Sequence, residues 1–338
     1  MVEVMAERLT LSALKAHALA MRALMRHGYT GEDARPVADH VVDAALCGYE
    51  YSGLPKILNL IEHAQLRGAP QPMRLLHETP VSARLDGGNH NGMLAMHRVT
   101  EIAQDKAGAN GFAVVGIHNI WMSGRSAFYV ERLAQAGLIG LHTVASRPQV
   151  APPGAARPAL GTNPIALGFP TEGDPLLIDM GTSALMFTDL MFRHRLGQSL
   201  PEGVAIDAQG RPTTDAASAL LGAVLPYGGH KGFALAVAMA ALGVAAGSGE
   251  DTDHAGYLLM AIRPDLLQPL AQYRRELSLL IERIRSTPRL PGVEAIRIPS
   301  ERAFTERRLR QQTGIELDAP VVKALLAAAG EDPGFIRA

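Results

Sequence analysis

The segment Leu225-Pro226-Tyr227-Gly228-Gly229-His230-Lys231-Gly232 leads directly into the apolar run Phe233–Leu242, and the rest of the chain is best interpreted around it. Glycine permits a tight backbone that exposes N–H groups, and the beginning of a helix carries a partial positive charge. A histidine and a lysine at that point would complete a site for phosphate or carboxylate. An ordinary loop before a buried helix is the alternative for this segment taken alone.

Length and composition describe a folded protein. The 338 residues allow two domains, or one large domain with an appendage. The formal net charge is −1, with 47% hydrophobic and 19% charged residues, so a surface for nucleic acid or anionic lipid is not expected. The N-terminus lacks the apolar core of a signal peptide, and the longest apolar stretch, Phe233–Ala246, is too short to span a bilayer. We therefore predict a cytoplasmic protein.

The sequence also argues against a metal site. Cys47 is the only cysteine, which excludes an intrachain disulfide and a cysteine-based metal site. The histidines are scattered and the pattern H-E-x-x-H is absent, so we predict no bound metal. Cys47 lies in an apolar helical run, where a free cysteine is usually part of the core; a catalytic thiol is the alternative.

Apolar periodicity divides the chain into a helical part and a mixed part. Up to about residue 66, apolar residues recur at helical spacing. From Val81 onward, helix and strand patterns alternate, which is typical of an α/β layer. Between Pro148 and Thr214, prolines and glycines separate short strands whose connecting loops could line a site. The helical runs are Thr10–His27, Thr30–Gly48 and Lys56–Leu66, and the main strand patterns are 81–88, 112–117, 138–144, 165–169, 176–180 and 256–262.

Several polar groups between these elements are candidates for binding or catalysis. Neither G-x-G-x-x-G after a strand nor G-x-x-x-x-G-K-[ST] occurs, so a Rossmann fingerprint or P-loop is not supported. The segments Gly161-Thr162-Asn163-Pro164 and Asp179-Met180-Gly181-Thr182-Ser183 carry side chains that either contact a ligand or cap turns and helices. Asp189 lies among apolar residues. Its carboxylate is either exposed on the face opposite to them or kept among them for a functional role. A basic cluster is either a solvated helix face or a phosphate site: Arg302, Arg307, Arg308 and Arg310.

Taken together, these segments resemble the malate/L-lactate dehydrogenase family, which is distinct from Rossmann-type dehydrogenases. Within that family the chain is most similar to the Δ1-piperideine-2-carboxylate (cyclic ketimine) reductases. The resemblance runs from about Leu11 to Ala329. The matching stretches are Gly161-Thr162-Asn163-Pro164-Ile165-Ala166, Asp179–Ser183, Pro212–Asp215, Gly228–Gly232 and Ile298–Arg302.

The resemblance implies an α/β (α+β) fold and a homodimer. The cofactor-binding sheet would be largely antiparallel, with a helical domain formed by both chain ends. We place the helical domain at residues 1–75 with 288–338, and the NAD(P)H-binding and substrate domain at residues 76–287. The implied cofactor is NADPH or NADH. Its predicted contacts are Trp121, Met122, Ser123, Gly124, Arg125, Asp179, Met180, Gly181, His230, Lys231, Arg302 and Arg308.

The chain departs from the family where the family does its proton chemistry. The family's D-S-H-G-x-x-R, with a proton-donating histidine and a carboxylate-binding arginine, reads Glu50–Lys56 here. The histidine is replaced by Ser52 and the arginine by Lys56, which could still attract a carboxylate as a point charge. The family's N-S-x-H-F-G places Met122 where a second histidine stands.

The proton donor is therefore the open question. Tyr51 is the first candidate and His118 the second, each with packing as its alternative role. Ser52 occupies the position of the family's catalytic histidine, and Asp189 aligns with a charge-relay aspartate of the ketimine reductases. Lys56 and Thr162 are predicted to contact the substrate.

From this resemblance we expect hydride transfer from NAD(P)H to a small carboxylate. The acceptor would be the C=N of a cyclic imine or the C=O of a 2-oxo acid. The alternatives are a dehydrogenase for 2-hydroxy acids of the lactate or malate type, and a cofactor-binding protein that has lost turnover.

Overall fold

A seven-stranded sheet forms the centre of the computed structural model, which describes residues 7–195, 197–249 and 255–337. The strands are β1 (Arg8–Leu11), β2 (Arg74–Thr79), β3 (Ser82–Asn91), β4 (Phe112–Trp121), β5 (Ile139–Ala145), β6 (Ile165–Phe169), β7 (Leu176–Met180), β8 (Ala205–Ile206), β9 (Ala223–Val224), β10 (Gly256–Ile262) and β11 (Ile315–Asp318). The helices are α1 (Ala13–Arg26), α2 (Gly31–Leu46), α3 (Pro55–Arg67), α4 (Gly92–Asn110), α5 (Ala127–Gln135), α6 (Phe187–Arg195), α7 (Ala216–Leu220), α8 (His230–Ala246), α9 (Leu270–Arg285), α10 (Glu301–Thr313), α11 (Ala319–Ala329) and α12 (Gly334–Arg337).

The sheet order is β2-β3-β4-β10-β5-β6-β7. Strands β3 and β4 run parallel, and every other neighbouring pair in this sheet is antiparallel. Strand β10 lies between β4 and β5 although it follows them by more than a hundred residues, so a late segment of the chain supplies a central strand of the sheet. The prediction of a mixed fold with a largely antiparallel sheet is confirmed.

Helices cover both faces of the sheet. Strand β4 sends Ala113, Val115 and Ile117 into a core shared with α4 and α5. On the opposite face, Gly116 lies directly against Ala246 of α8. The buried residues of α8 recur every three or four positions, which is the spacing of one helix face: Gly232, Ala236, Met239, Gly243 and Ala246.

The two chain ends meet in the helical part of the molecule. Strand β1 pairs with β11 in an antiparallel two-stranded sheet, with Leu11 opposite Ile315. Helices α1, α2, α3 and α11 pack around one apolar core. The sequence placed Thr10 and Leu11 at the start of a helix, and this was wrong: both belong to β1, and Ser12 accepts the N–H of Lys15 as the cap of α1. The domain limits at residues 75 and 288 stay a prediction.

A buried cluster of four charged side chains joins this helical part to the sheet. Arg307 of α10 binds both carboxylate oxygens of Glu131 on α5, at 2.5 and 2.7 Å, and lies 3.0 Å from Asp43 of α2. Arg125, in the segment after β4, contacts Asp43 at 3.1 Å and Glu131 at 3.3 Å. Paired, fork-shaped contacts of this kind hold their partners in one geometry. The cluster therefore connects three distant parts of the chain: α2, the stretch from Arg125 to Glu131, and α10.

Among the described residues, no helix is both long and apolar enough to cross a membrane.

We predict that Arg307→Met lowers the free energy of unfolding by about 3–5 kcal/mol, because it leaves two buried carboxylates with a single cation. Denaturant unfolding followed by circular dichroism measures this. The matched control is Arg308→Met, which removes an exposed pair with Asp174 and should cost at most about 1 kcal/mol. Equal losses for the two variants would show that the cluster does not hold the molecule together.

Candidate active site

A cavity of about 460 Å³ opens between α3, α6 and the ends of β4, β5 and β10. One wall is apolar and aromatic and comes from α6. The opposite side carries polar and charged groups from the 3₁₀ turn Glu50–Ser52, from α3 and from the segment after β5. Its lining residues are Tyr51, Lys56, Asn59, Glu62, His63, Ile120, Trp121, Met122, Ser146, Arg147, Gln149, Phe187, Thr188, Met191, Phe192, Ala255 and Tyr257.

Lys56 and Tyr51, predicted as substrate ligand and proton donor, both line this cavity. The Lys56 ammonium lies 5.0 Å from the centre of the Tyr51 ring, within reach of a cation–π contact. Lys56 is only 8% exposed, and burial lowers the pKa of its ammonium from the ordinary 10.5. The Tyr51 ring also contacts Phe192 edge-on, with 6.1 Å between the ring centroids. A buried cation and a hydroxyl thus share one wall of the cavity.

The sequence analysis missed His63. This residue lies on α3 seven positions after Lys56 and four after Asn59, so the three side chains share one helix face. The His63 ring stacks on Trp121 with centroids 5.8 Å apart and an interplanar angle of 25°. The spacing of these polar residues along α3 was the available signal, because core residues occupy the other face.

The segment 121–125, predicted to contact the cofactor, divides between the cavity and the interior. Trp121 and Met122 line the cavity, and the Trp121 indole donates to the carbonyl of Asn89 at 2.9 Å. The carbonyl of Ser123 accepts the hydroxyl of Tyr129, and Gly124 packs closely against His40. Arg125 belongs to the buried charge cluster, so its position does not support a direct contact with the cofactor.

His40 of α2 contacts this segment at Gly124 and Arg125. Its Nε2 accepts the backbone N–H of Arg125 at 2.9 Å. Burial lowers the pKa of His40 to about 3, with a further contribution from the charges of Arg125 and Lys56. The imidazole is therefore neutral at physiological pH, as acceptance of an N–H requires.

The segments that contain three of the five matching stretches are joined by hydrogen bonds. The carbonyl of Thr162 accepts both the N–H and the hydroxyl of Thr182, at 2.9 and 3.0 Å. The carbonyl of Thr182 accepts the N–H of Tyr227 at 2.9 Å, and Ala184 donates to Leu225 at 2.8 Å. Segments that lie up to about sixty residues apart in sequence therefore form one layer.

Asn163 ties this layer to the cavity and to α8. Its side-chain oxygen accepts the N–H of Ser146, a lining residue, at 3.0 Å, and its amide donates to the carbonyl of Ala236 at 2.9 Å. The sequence left this motif open between a capped turn and a ligand contact. Its observed bonds are those of a structural turn, and Thr162 itself does not line the cavity.

The start of α8 is open on its outer side. Gly228 and Gly229 have φ values of 55° and 60°, and no side chain caps the helix. His230 and Lys231 are exposed, and the first turn contains no acidic residue. A groove of about 490 Å³, bounded by Pro226, Gly229 and the segment 152–156, adjoins this turn. These features fit an anionic phosphate group held by a helix start and two basic side chains.

Asp179 has a structural contact of its own. Its carboxylate accepts the N–H of Ala127 at 2.7 Å and so caps the start of α5. The sequence analysis gave helix capping as the alternative to a ligand contact for this segment, and Asp179 makes such a capping contact. Met180 is partly exposed, and Gly181 packs against Met186.

The basic residues of α10 have separate environments. The Arg302 guanidinium lies 5.5 Å from the ring centre of Tyr49, and Arg125 approaches the same ring at 5.4 Å. Arg308 pairs with Asp174 at 2.7 Å and lines a different cavity. The arginines of this helix therefore do not converge on one phosphate.

Three predicted catalytic residues lie outside the cavity wall. The Asp189 side chain is 42% exposed and pairs with Arg193 at 3.4 Å, because α6 turns Thr188, Met191 and Phe192 toward the cavity instead. His118 packs beside Gly247 on the α8 face of the sheet. Ser52 closes the 3₁₀ turn, and its N–H donates to the carbonyl of Tyr49 at 3.0 Å.

Within the described parts of the chain, no group of three or more metal-ligating side chains comes together.

Comparison with known proteins agrees with this architecture. The family model described as malate/L-lactate dehydrogenase matches residues 11–326. L-sulfolactate dehydrogenase of Methanothermobacter thermautotrophicus is 33% identical over 315 residues, which cover 89% of this chain and 90% of that protein. A Δ1-pyrroline-2-carboxylate/Δ1-piperideine-2-carboxylate reductase of Pseudomonas putida is 31% identical over 332 residues, covering 92% and 94%.

The solved structures show the same likeness. The crystal structure of Δ1-piperideine-2-carboxylate reductase from Pseudomonas syringae superimposes with a TM-score of 0.83 at 28% identity, covering 95% of this chain and 99% of that one. The resemblance inferred from the motifs is confirmed. The chain belongs to the malate/L-lactate dehydrogenase family of oxidoreductases.

Proposed function

We propose that this protein is an NAD(P)H-dependent reductase acting on a small carboxylate with a C=N or C=O group next to the carboxyl carbon. The observation that carries the proposal is the cavity in which a buried ammonium, Lys56, and a hydroxyl, Tyr51, lie on one wall beside Trp121. A carboxylate that enters the cavity meets a cation shielded from water, where its attraction is strong.

The residues of the chain have distinct roles in this proposal. Lys56 binds the substrate carboxylate, and Tyr51 gives its hydroxyl proton to the nitrogen or oxygen that is reduced. Met122 and Trp121 form the floor against which the reacting carbon rests, and the apolar side chains of α6 exclude water. His118 and Asp189, which the sequence also suggested, have no such place in the cavity wall.

A nicotinamide cofactor, when bound, supplies the hydride. We assign His230 and Lys231 to its phosphates, because they stand exposed at the open start of α8. Met180 and Gly181 belong to the layer formed by the motif segments, and Arg302 lies on α10. We propose that these three residues contact the rest of the cofactor. Both NADH and NADPH are proposed as cofactors, and the cytoplasmic location stays a prediction.

We favour a cyclic imine over an open-chain 2-oxo acid as the acceptor. The α6 wall contributes Phe187, Met191 and Phe192, which suit the methylene groups of a ring. The sequence argument from Asp189 no longer supports this choice, since its carboxylate pairs with Arg193. Reduction of a 2-oxo acid is the second candidate, and it rests on the same Lys56 contact.

We also propose a homodimer that buries the outer face of α8. From Phe233 to Ala246 this helix has no charged residue, yet Val237 and Val244 are 45% and 63% exposed. A helix that is apolar on all sides is normally buried on all sides. Small neighbours on the same face, such as Ala241, would let a second copy approach closely.

Titration with each nucleotide, followed by a screen of NAD(P)H oxidation, tests the reductase. We expect at least one nucleotide to bind below about millimolar concentration, and kcat/KM to be at least about tenfold higher for a cyclic imine carboxylate than for pyruvate. Binding without oxidation of NAD(P)H by any imine or 2-oxo acid would point to a cofactor-binding protein instead.

Replacement of Lys56 by alanine should raise KM for a carboxylate substrate by about 10- to 100-fold, because a charge-assisted contact is lost. In the native protein, kcat/KM should fall on the alkaline side as Lys56 loses its proton, and burial places this fall below the ordinary pKa of 10.5. Lys56→Arg should remove the fall, since arginine stays protonated.

Lys323→Ala, on the exposed side of α11, serves as the control. A KM for Lys56→Ala equal to that of this control would remove Lys56 from the substrate site.

Val244→Lys should convert the dimer to a monomer, because an ammonium would be buried in an apolar interface. Light scattering after size exclusion measures the mass. Leu14→Lys replaces another exposed apolar residue, on α1, and should leave the dimer intact. A monomeric native protein, or a dimeric Val244→Lys variant, would contradict the assignment of this face.

A further inference from the structure

The cavity contains an acid–base group that the proposed roles do not use. His63 faces the same space as Tyr51 and Lys56, and its ring is held against Trp121 at 5.8 Å. Trp121 is itself fixed by its bond to the carbonyl of Asn89. The residue as a whole is exposed, so the imidazole has access both to solvent and to the cavity.

Reduction of C=N or C=O consumes one proton for each hydride. If Tyr51 gives up its hydroxyl proton, it must recover one before the next turnover. A tyrosine hydroxyl has an ordinary pKa of about 10, whereas imidazole titrates near 6.5. Imidazole is the side chain suited to carry protons between water and a site at neutral pH.

We propose that His63 is the residue through which the cavity takes up this proton, and that it acts through Tyr51. This inference rests on the proposed reductase function. The Tyr51 O–H bond breaks as the substrate nitrogen or oxygen gains its proton. A proton from the His63 imidazolium then returns to the Tyr51 oxygen through water in the cavity that they share, and the neutral imidazole takes up a proton from solvent.

The surroundings of His63 are compatible with this cycle. The titratable and charged groups that face the cavity with it come from four parts of the chain: Tyr51, Lys56, Glu62, Arg147 and Tyr257. Lys56 and Arg147 oppose a second positive charge, and Glu62, its neighbour on α3, favours one. Groups of both charge signs therefore line the cavity with His63.

The direction of the pH dependence follows from the role. A group that must be protonated to act loses its effect as pH rises through its pKa, so kcat for reduction should fall across about pH 5 to 8. In His63→Gln, kcat at neutral pH should drop by about 100-fold and this pH dependence should vanish, while KM changes little. Added imidazole should restore part of the rate.

A second measurement does not depend on turnover. Trp121 is the only tryptophan, so emission of the unliganded protein reports on one indole. Imidazolium stacked on an indole quenches its emission more than neutral imidazole does. Emission should therefore rise with pH at the apparent pKa seen in kcat, and the transition should be absent in His63→Gln.

Two further variants separate this role from others. Tyr51→Phe should lower kcat at every pH and keep the fluorescence transition. His77→Gln, on the exposed strand β2, should leave both the pH profile and the transition unchanged.

The outcomes distinguish the inference from the function on which it rests. If the native protein reduces none of the acceptors, the proposed function is overturned, and proton uptake through His63 is overturned with it. If the native protein reduces an acceptor and His63→Gln keeps the same kcat and pH profile, proton uptake through His63 is overturned and the proposed function stands. A loss of kcat without a change in pH profile would mean that His63 only supports Trp121.

Discussion

Four charged side chains, two of them buried and two partly buried, link the helical part of the molecule to the sheet beside the cavity. Asp43, Arg125, Glu131 and Arg307 come from α2, the segment after β4, α5 and α10, and none of them is close to another in sequence except Arg125 and Glu131. Two acids and two bases balance, so their burial does not leave a net charge inside. Because Arg125 ends the segment that begins with Trp121, the cluster also sets the position of the cavity floor.

The proposed cofactor end of the site is held together mainly by hydrogen bonds to backbone groups rather than by charges. Thr162, Thr182 and Tyr227 connect three motif segments in series, and Asn163 adds links to Ser146 and to α8. In such a layer, neighbouring segments of the chain approach each other closely, and this requires small or turn-forming residues. The polar side chains of these segments are thereby used within the layer, whereas His230 and Lys231 are exposed at the start of α8, where we propose that they bind the cofactor.

At the proposed substrate end, polar residues of α3 line the cavity, and the family's catalytic histidine is absent from its usual motif. The 3₁₀ turn Glu50–Ser52 carries Tyr51 and Ser52 and contains no histidine. One face of α3 instead directs Lys56, Asn59 and His63 toward the cavity. In the proposed function, a cation and an imidazole seven residues apart on a helix take over the carboxylate-binding and proton-transfer roles of the family's arginine and histidine, with a different geometry for the bound carboxylate.

The sequence alone determined the family, the mixed fold and most helices and strands, because apolar periodicity and the spacing of motifs such as GTNPIA and GGHKG are local properties. It also predicted that Lys56 and Tyr51 belong to the substrate site, and both residues line the cavity. It could not show that Arg307 is buried against Glu131, that Asp179 caps α5, or that Asp189 faces Arg193. Those facts depend on which distant element packs against each side chain. His63 became visible only when α3 and Trp121 were brought together, since a lone histidine on a helix has no signal of its own.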